Sequence, residues 1–298
     1  MQKYRAIRTG RPGLVITGVV VLILAAVATI GITTTQQEGR LWQWIAIAPG
    51  RIIDGVTANG PVTVTQPVRE LEIHWVSCSV TIQQAESGDA LGFEETAKSL
   101  PERGRLVYVQ NGDKLIIHAF ADQASQWFAG RSAKALTVRV PAGWDLRQLK
   151  IDSVSGTVLV SNQTAAKASV DTVSGDVKLV SFTCDDLSVD TVSGRLSLQG
   201  NDKEITFNSI SGSADLAPGG GLQTLNADTV SGSITLALPA GRGFTAVCSA
   251  VGDAAVSTGP FEITQKDGKM VHGDGAAKLR MDTVSGRLRL EAAEEPAE

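Results

Sequence analysis

Residues 171–175 read Asp-Thr-Val-Ser-Gly, and the same five residues return at 190–194, 228–232 and 282–286. Asp152-Ser153-Val154-Ser155-Gly156 and Asn208-Ser209-Ile210-Ser211-Gly212 are looser copies. The glycines Gly156, Gly175, Gly194, Gly212 and Gly232 are spaced 19, 19, 18 and 20 residues apart. A period of this length marks one supersecondary unit copied along the chain.

Aligned on that glycine, the copies separate into columns. Two residues after it stand Val158, Val177, Leu196, Ala214, Ile234 and Leu288, and four after it Val160, Leu179, Leu198, Leu216, Leu236 and Leu290. Intervening positions are mostly polar, so the pattern is strand alternation. Seven and five residues before the glycine, two more columns are apolar, among them Leu149, Leu187, Leu279, Ile151, Val189 and Met281. The Val column two residues before the glycine, Val154 to Val284, reads as inward too. That requires a parity switch, and the Asp-Thr pair is its expected corner. Polar clusters such as Gly200-Asn201-Asp202-Lys203 and Pro218-Gly219-Gly220-Gly221 read as closing turns.

A 19-residue unit cannot bury its own apolar face, so copies stack. The expected fold is all-β, a parallel two-faced β-solenoid with rungs of about 19 residues, preceded by one N-terminal transmembrane helix. An antiparallel meander or sandwich is the competing architecture. The template also finds degenerate copies around Cys78 and Gly252, irregular stretches at 83–135 and 253–280, and a hairpin at Asn111-Gly112-Asp113.

Residues 1–12 carry Lys3, Arg5, Arg8 and Arg11 without an acid, and residues 13–33 are uncharged. Such a run spans a hydrocarbon core of about 30 Å, and the cations before it place the N-terminus in the cytoplasm. A signal peptide cleaved near Ala26-Val27-Ala28 is the alternative. The expected organisation is a basic tail at 1–12, a span at 13–35, a linker at 36–59, the repeat domain at 60–290 and an acidic tail at 291–298. Trp42 and Trp44 read either as interfacial anchors or as a lid on the repeat core.

The whole chain has net charge −4, so removing four N-terminal cations leaves about −8 on the remainder. That balance argues against nucleic acid as a partner. Cys78, Cys184 and Cys248 show no metal-ligand spacing, and Cys78 stands where the copies carry glycine. It reads as a small buried residue, and stacking sets Cys184 and Cys248 about three rungs apart. His74, His118 and His272 lack any accompanying catalytic motif, and His272-Gly273-Asp274-Gly275 reads as a turn.

The column Asp152, Asp171, Asp190, Asn208, Asp228 and Asp282 is the one constellation with a chemical reading. Stacked carboxylates would suit a divalent cation such as calcium. Against that, each Asp can close its own corner as an Asx-turn, and Asn208 interrupts the row. His74 and Cys248 take the same slot in the outer copies. No catalytic residue, cofactor or metal site is assigned; the five aspartates are the cation candidates.

Leu136-Thr137-Val138-Arg139-Val140-Pro141-Ala142-Gly143, the repeated Thr-Val-Ser-Gly, and Leu238-Pro239-Ala240-Gly241 before Phe244-Thr245-Ala246 resemble the putative-adhesin family of bacterial β-strand-repeat domains of unknown function. The resemblance covers about 60–290 and implies an extracytoplasmic, membrane-anchored, solenoid-like domain, with no catalytic residues to carry over. It departs from the plain pattern at Glu94-Glu95-Thr96-Ala97-Lys98 and Gln126-Trp127-Phe128. The expected role is non-catalytic binding or scaffolding at the cell envelope, with an envelope protein or cell-wall glycan as partner. An accessory of an envelope-stress system and a carbohydrate-active enzyme are the alternatives.

Overall fold

The computed structural model describes residues 3–4, 55–76, 78–97, 104–120, 134–250 and 255–293. The expected span at 13–35, Trp42, Trp44, Trp127 and Phe128 lie outside them. Among the described residues no helix is long and apolar enough to cross a membrane. The chain there is strand and turn, apart from 3-10 conformation at Gly104 and at Gly219–Gly221.

The repeats stack parallel and in register. Asp152 pairs with Asp171, Asp171 with Asp190, Asp190 with Asn208, Asn208 with Asp228, and Asp228 with Asp282. Across the corner, Val158 pairs with Val177, Val177 with Leu196, Leu196 with Ala214, Ala214 with Ile234 and Ile234 with Leu288. All six of these side chains are buried. Apolar neighbours above and below let one buried column run along the stack.

Three details differ from the sequence reading. The buried column next to the corner is Ser153, Thr172, Thr191, Ser209, Thr229 and Thr283, while the Val column is only half-buried. Inward parity therefore runs unbroken through the Asp-Thr pair, and the corner falls at Val-Ser-Gly. Some of these buried hydroxyls serve the corner backbone: Thr229 Oγ1 donates to Gly212 O at 3.3 Å, and Ser209 Oγ accepts from Gly212 N at 2.7 Å.

Secondly, 200–203 is not a turn. Gly200, Asn201 and Asp202 pair with Phe182, Thr183 and Cys184, giving these rungs a short third side. Its corner is taken in the left-handed region by Asn162 and Ser181, at φ 53° and 50°.

Thirdly, stacking order departs from chain order. Ala277–Ser285 inserts between Thr224–Ser231 and Phe244–Ala250. Ser249, not Cys248, meets Asp282, so the copy around Gly252 is shifted from its template. Phe244, Ala246 and Cys248 are its buried residues. Four rungs separate the strands of Cys184 and Cys248, about 19 Å at strand spacing, and all three cysteines are free thiols.

The phrase glycine lets neighbouring rungs approach closely. A Cβ on Gly286 would sit 1.7 Å from the carbonyl oxygen of Gly232, and one on Gly232 would sit 1.8 Å from that of Gly212. The rungs that carry the phrase therefore need glycine at this corner. Cys78 is partly exposed, with φ 71°, so it is not the buried residue expected.

Antiparallel strands close both ends. Val107–Asn111 covers Lys114–His118 through the expected hairpin, and Leu91–Ala97 covers Lys134–Val140. Lys269–His272 covers Phe244–Ala246 at the opposite end. Covered edges blunt end-to-end pairing of copies. Lys3–Tyr4 lies antiparallel to Val256–Ser257.

Candidate functional site

In-register stacking extends the aspartate column at both ends. His118 pairs with His74, His74 with Asp152, and Asp282 with Ser249, so nine residues form one line across the sheet. His74 does fill the aspartate slot, and His118 continues it; the hairpin supplying His118 carries no repeat phrase to reveal that.

Asp152 is fully buried. His74 Nδ1 lies 2.9 Å from Asp152 Oδ2, and His74 Nε2 lies 2.9 Å from Glu72 Oε1. Lys150 Nζ also binds Asp152 Oδ2 and lies 3.5 Å from Glu72 Oε1, while Lys114 Nζ lies 2.8 Å from Glu72 Oε2. The His118 ring stacks on His74, centroids 4.8 Å apart.

The charges follow from these contacts. Burial alone would lower His74, but hydrogen bonds to Asp152 and Glu72 outweigh it and raise its pKa. The hydrogen bond with His74 likewise holds Glu72 well below the usual carboxylate range, against burial. Asp152 is held low despite burial by His74 and Lys150. His118 drops to about 4, through burial and then the charge on His74.

Glu72, His74 and Asp152 offer ligand atoms within 4.8 Å of one another. A metal ion does not fit this arrangement. Each imidazole nitrogen already faces a different carboxylate on opposite sides of the ring, and the Lys150 ammonium bridges the two acids. The cluster supplies its own cations.

The rest of the column is compensated only in part. Asn208 Nδ2 donates to Asp190 Oδ1 at 2.8 Å, and Arg280 Nε to Asp282 Oδ2 at 2.8 Å. Ser169 Oγ and Ser188 Oγ each lie 3.4 Å from the aspartate two residues on, Asp171 and Asp190. Asp171 has no cation of its own; burial, then the charges of Asp190 and Asp152, push it up to about 7. Burial and Asp282 push Asp228 up to about 6. Of the five cation candidates, Asp152 and Asp282 are thus paired with basic side chains.

Two groups outside the column escaped the sequence reading. Asp202, placed in a turn by sequence, is fully buried on the third side, with neither oxygen hydrogen-bonded among the described residues. Burial pushes its carboxyl up to about 7. Its in-register neighbours are Cys184 and, one rung further, Ala165. A group whose folded pKa is raised favours folding below its ordinary value and opposes it once ionised. Asp202→Ala therefore raises unfolding free energy more at pH 8 than at pH 5, by about 2–3 kcal/mol, as urea titrations at both pH values would show.

The second is Lys134, buried beneath the Leu91–Ala97 cap. Its ammonium reaches Glu95 Oε2 and Gly104 O, each at 2.8 Å, and Ala119 O, with the Phe120 ring centroid at 4.2 Å. Burial lowers its pKa, and Glu95 opposes the shift. Glu94, in the same departure from the repeat pattern, pairs with Arg139 at 2.7 Å. Both acids therefore hold the cap in place.

Three solved structures align with most of the chain. A putative cell adhesion protein from Clostridium sporogenes is 7% identical, covering 78% of this chain and 99% of its own, with TM-score 0.33. A putative lipid binding protein from Parabacteroides distasonis is 18% identical, covering 78% and 98%, with TM-score 0.39. A putative adhesin from Bacteroides fragilis is 12% identical, covering 80% and 99%, with TM-score 0.36. No curated protein matches. The column and every glycine corner but the last, at Gly286, fall within residues 68–285, which match the Toastrack DUF4097 family model, and the chain belongs to that family.

Proposed function

We propose that the protein is a non-catalytic, membrane-anchored module that binds or scaffolds at the bacterial cell envelope. The observation that carries this reading is that the buried His74 and Lys134 side chains, and Asp190 in the column, are spent on neighbouring groups. His74 has a carboxylate at each nitrogen, Lys134 has three acceptors, and Asp190 has an amide donor. General acid–base chemistry needs a group free to exchange a proton with substrate. What remains is a rigid stack with repeated outer columns, a surface suited to display.

Anchoring is supported by the uncharged run at 13–33 after four cations. An anchor with its N-terminus inside separates Lys3–Tyr4 from Val256–Ser257, so the proposal requires that short pairing to be absent in membranes. Cys78 is the one partly exposed thiol among the three, and burial pushes Cys184 and Cys248 up to about 12. Export predicts that a membrane-impermeant maleimide labels Cys78 on intact cells. Labelling only after lysis contradicts it.

Partner capture tests the binding role. Detergent extracts of native membranes should yield an envelope protein or wall glycan held by both the full chain and a chain lacking residues 1–40. Loss of the partner on truncation favours the stress-system accessory instead. Turnover of a glycan, abolished by replacing one or two acids, overturns the non-catalytic reading.

A further inference from the structure

The aspartate column contains two carboxyl pairs built alike. In each, one member is buried and tied to a basic side chain of its own strand: Asp152 to Lys150, and Asp282 to Arg280. In each, that member's other oxygen, Asp152 Oδ1 or Asp282 Oδ1, is buried and accepts no hydrogen bond among the described residues. In each, the neighbouring rung sets a second carboxyl beside it, Asp171 or Asp228, with no cation on its own strand two residues away but Ser169 or Asn226. Asn208 lies between the pairs and donates to Asp190.

A buried orphan acceptor next to an unpaired carboxyl is resolved by one proton. When Asp171 is protonated its O–H can donate to Asp152, and Asp228 can donate to Asp282 in the same way. The basic partner of Asp152 or Asp282 directs the proton to the other member. A hydroxyl–carboxylate hydrogen bond between rungs then replaces repulsion between two charges about 4.8 Å apart.

We infer that the column is a pH-operated clamp, in which Asp152–Asp171 and Asp228–Asp282 each hold one proton between rungs in mildly acidic surroundings and release it toward alkaline ones, loosening the middle of the stack. The groups facing it are few. Asp171 meets Asp152 and Lys150 on one side and Asp190 and Ser188 on the other, with Glu72 and His74 one rung further. Asp228 meets Asn208 and Thr206 on one side and Asp282 and Arg280 on the other.

The direction of the effect is fixed by proton linkage. Folding raises proton binding at Asp171 and Asp228, so these groups favour the fold below the ordinary carboxylate range and cease to do so as pH rises through about 6 to 7. His74 and Asp202 act in the same direction; His118, lowered to about 4, opposes them between about 4 and 6.5. Glu72 and Asp152, held low, make stability fall again on acidification below about 4.

The test uses the full chain in detergent, unfolded by urea at pH 5 and pH 8. The wild type is expected to unfold at lower urea at pH 8. Asp171→Asn/Asp228→Asn, which extends the amide already present at Asn208, should remove about two protons from the linkage and unfold at higher urea than wild type at pH 8. The converse variant Asn208→Asp should unfold at lower urea than wild type at pH 8 and near the wild-type value at pH 5. A wild-type midpoint unchanged between the two pH values overturns the clamp. So does a double variant no more stable than wild type at pH 8, or an Asn208→Asp variant that loses equally at both.

Discussion

Gly232→Ala is expected to cost about 3 kcal/mol or more of unfolding free energy. Its new methyl would sit 1.8 Å from the carbonyl oxygen of Gly212, a backbone atom fixed by the rung beneath. The rung has no slack to absorb it, because Ile234 and Leu236 just past the corner are fully buried. Gly241→Ala is the matched control: no atom lies within 4 Å of its Cβ position, and it should stay within about 0.5 kcal/mol of wild type. Urea denaturation of both variants gives the comparison. Equal stabilities would mean the rungs do not approach at the glycines as described.

Lys134→Met is expected to cost about 3–5 kcal/mol, because it leaves Glu95 buried without its cation. Two backbone carbonyls, Gly104 O and Ala119 O, lose their donor as well. The loss should be local to the cap over Lys134–Val140, so Glu95→Leu in the same chain should recover part of it. A double-mutant cycle by urea denaturation measures that coupling. Additive losses would show that Lys134 and Glu95 act separately.

The repeat phrase made the stack legible, since Asp, Gly and the alternating Val and Leu recur at fixed offsets and parallel pairing brings each onto its own copy. The same phrase misled at the corner. Valine two residues before the glycine looks inward by hydropathy, but the buried place goes to a column of Ser and Thr, of which Ser209, Thr229 and Thr283 bond corner backbone through their hydroxyls, a demand hydropathy does not register. Order in the stack was also hidden, because nothing in the spacing of the phrase shows that Ala277–Ser285 pairs between Thr224–Ser231 and Phe244–Ala250.

Of the site, the five aspartates and His74 could be placed from spacing alone, because they share one column. Their charges could not. Lys150 and Arg280 neutralise particular members, Asn208 splits the row, and His118 joins through a hairpin outside the repeat. Asp202 looked like a turn residue beside Gly200 and Asn201, yet pairing with the previous rung turned it inward. Lys134 lies in an irregular stretch where no template applied.

The most direct test is a titration of the aspartate side-chain carboxyls by carbon-13 NMR in the folded protein. Only in-register stacking sets Asp152 and Asp190 on either side of Asp171, residues separated by whole repeats in sequence. The account predicts that Asp171 titrates near about 7 and Asp228 near about 6. Both midpoints falling near the ordinary aspartate value of about 4 would contradict it.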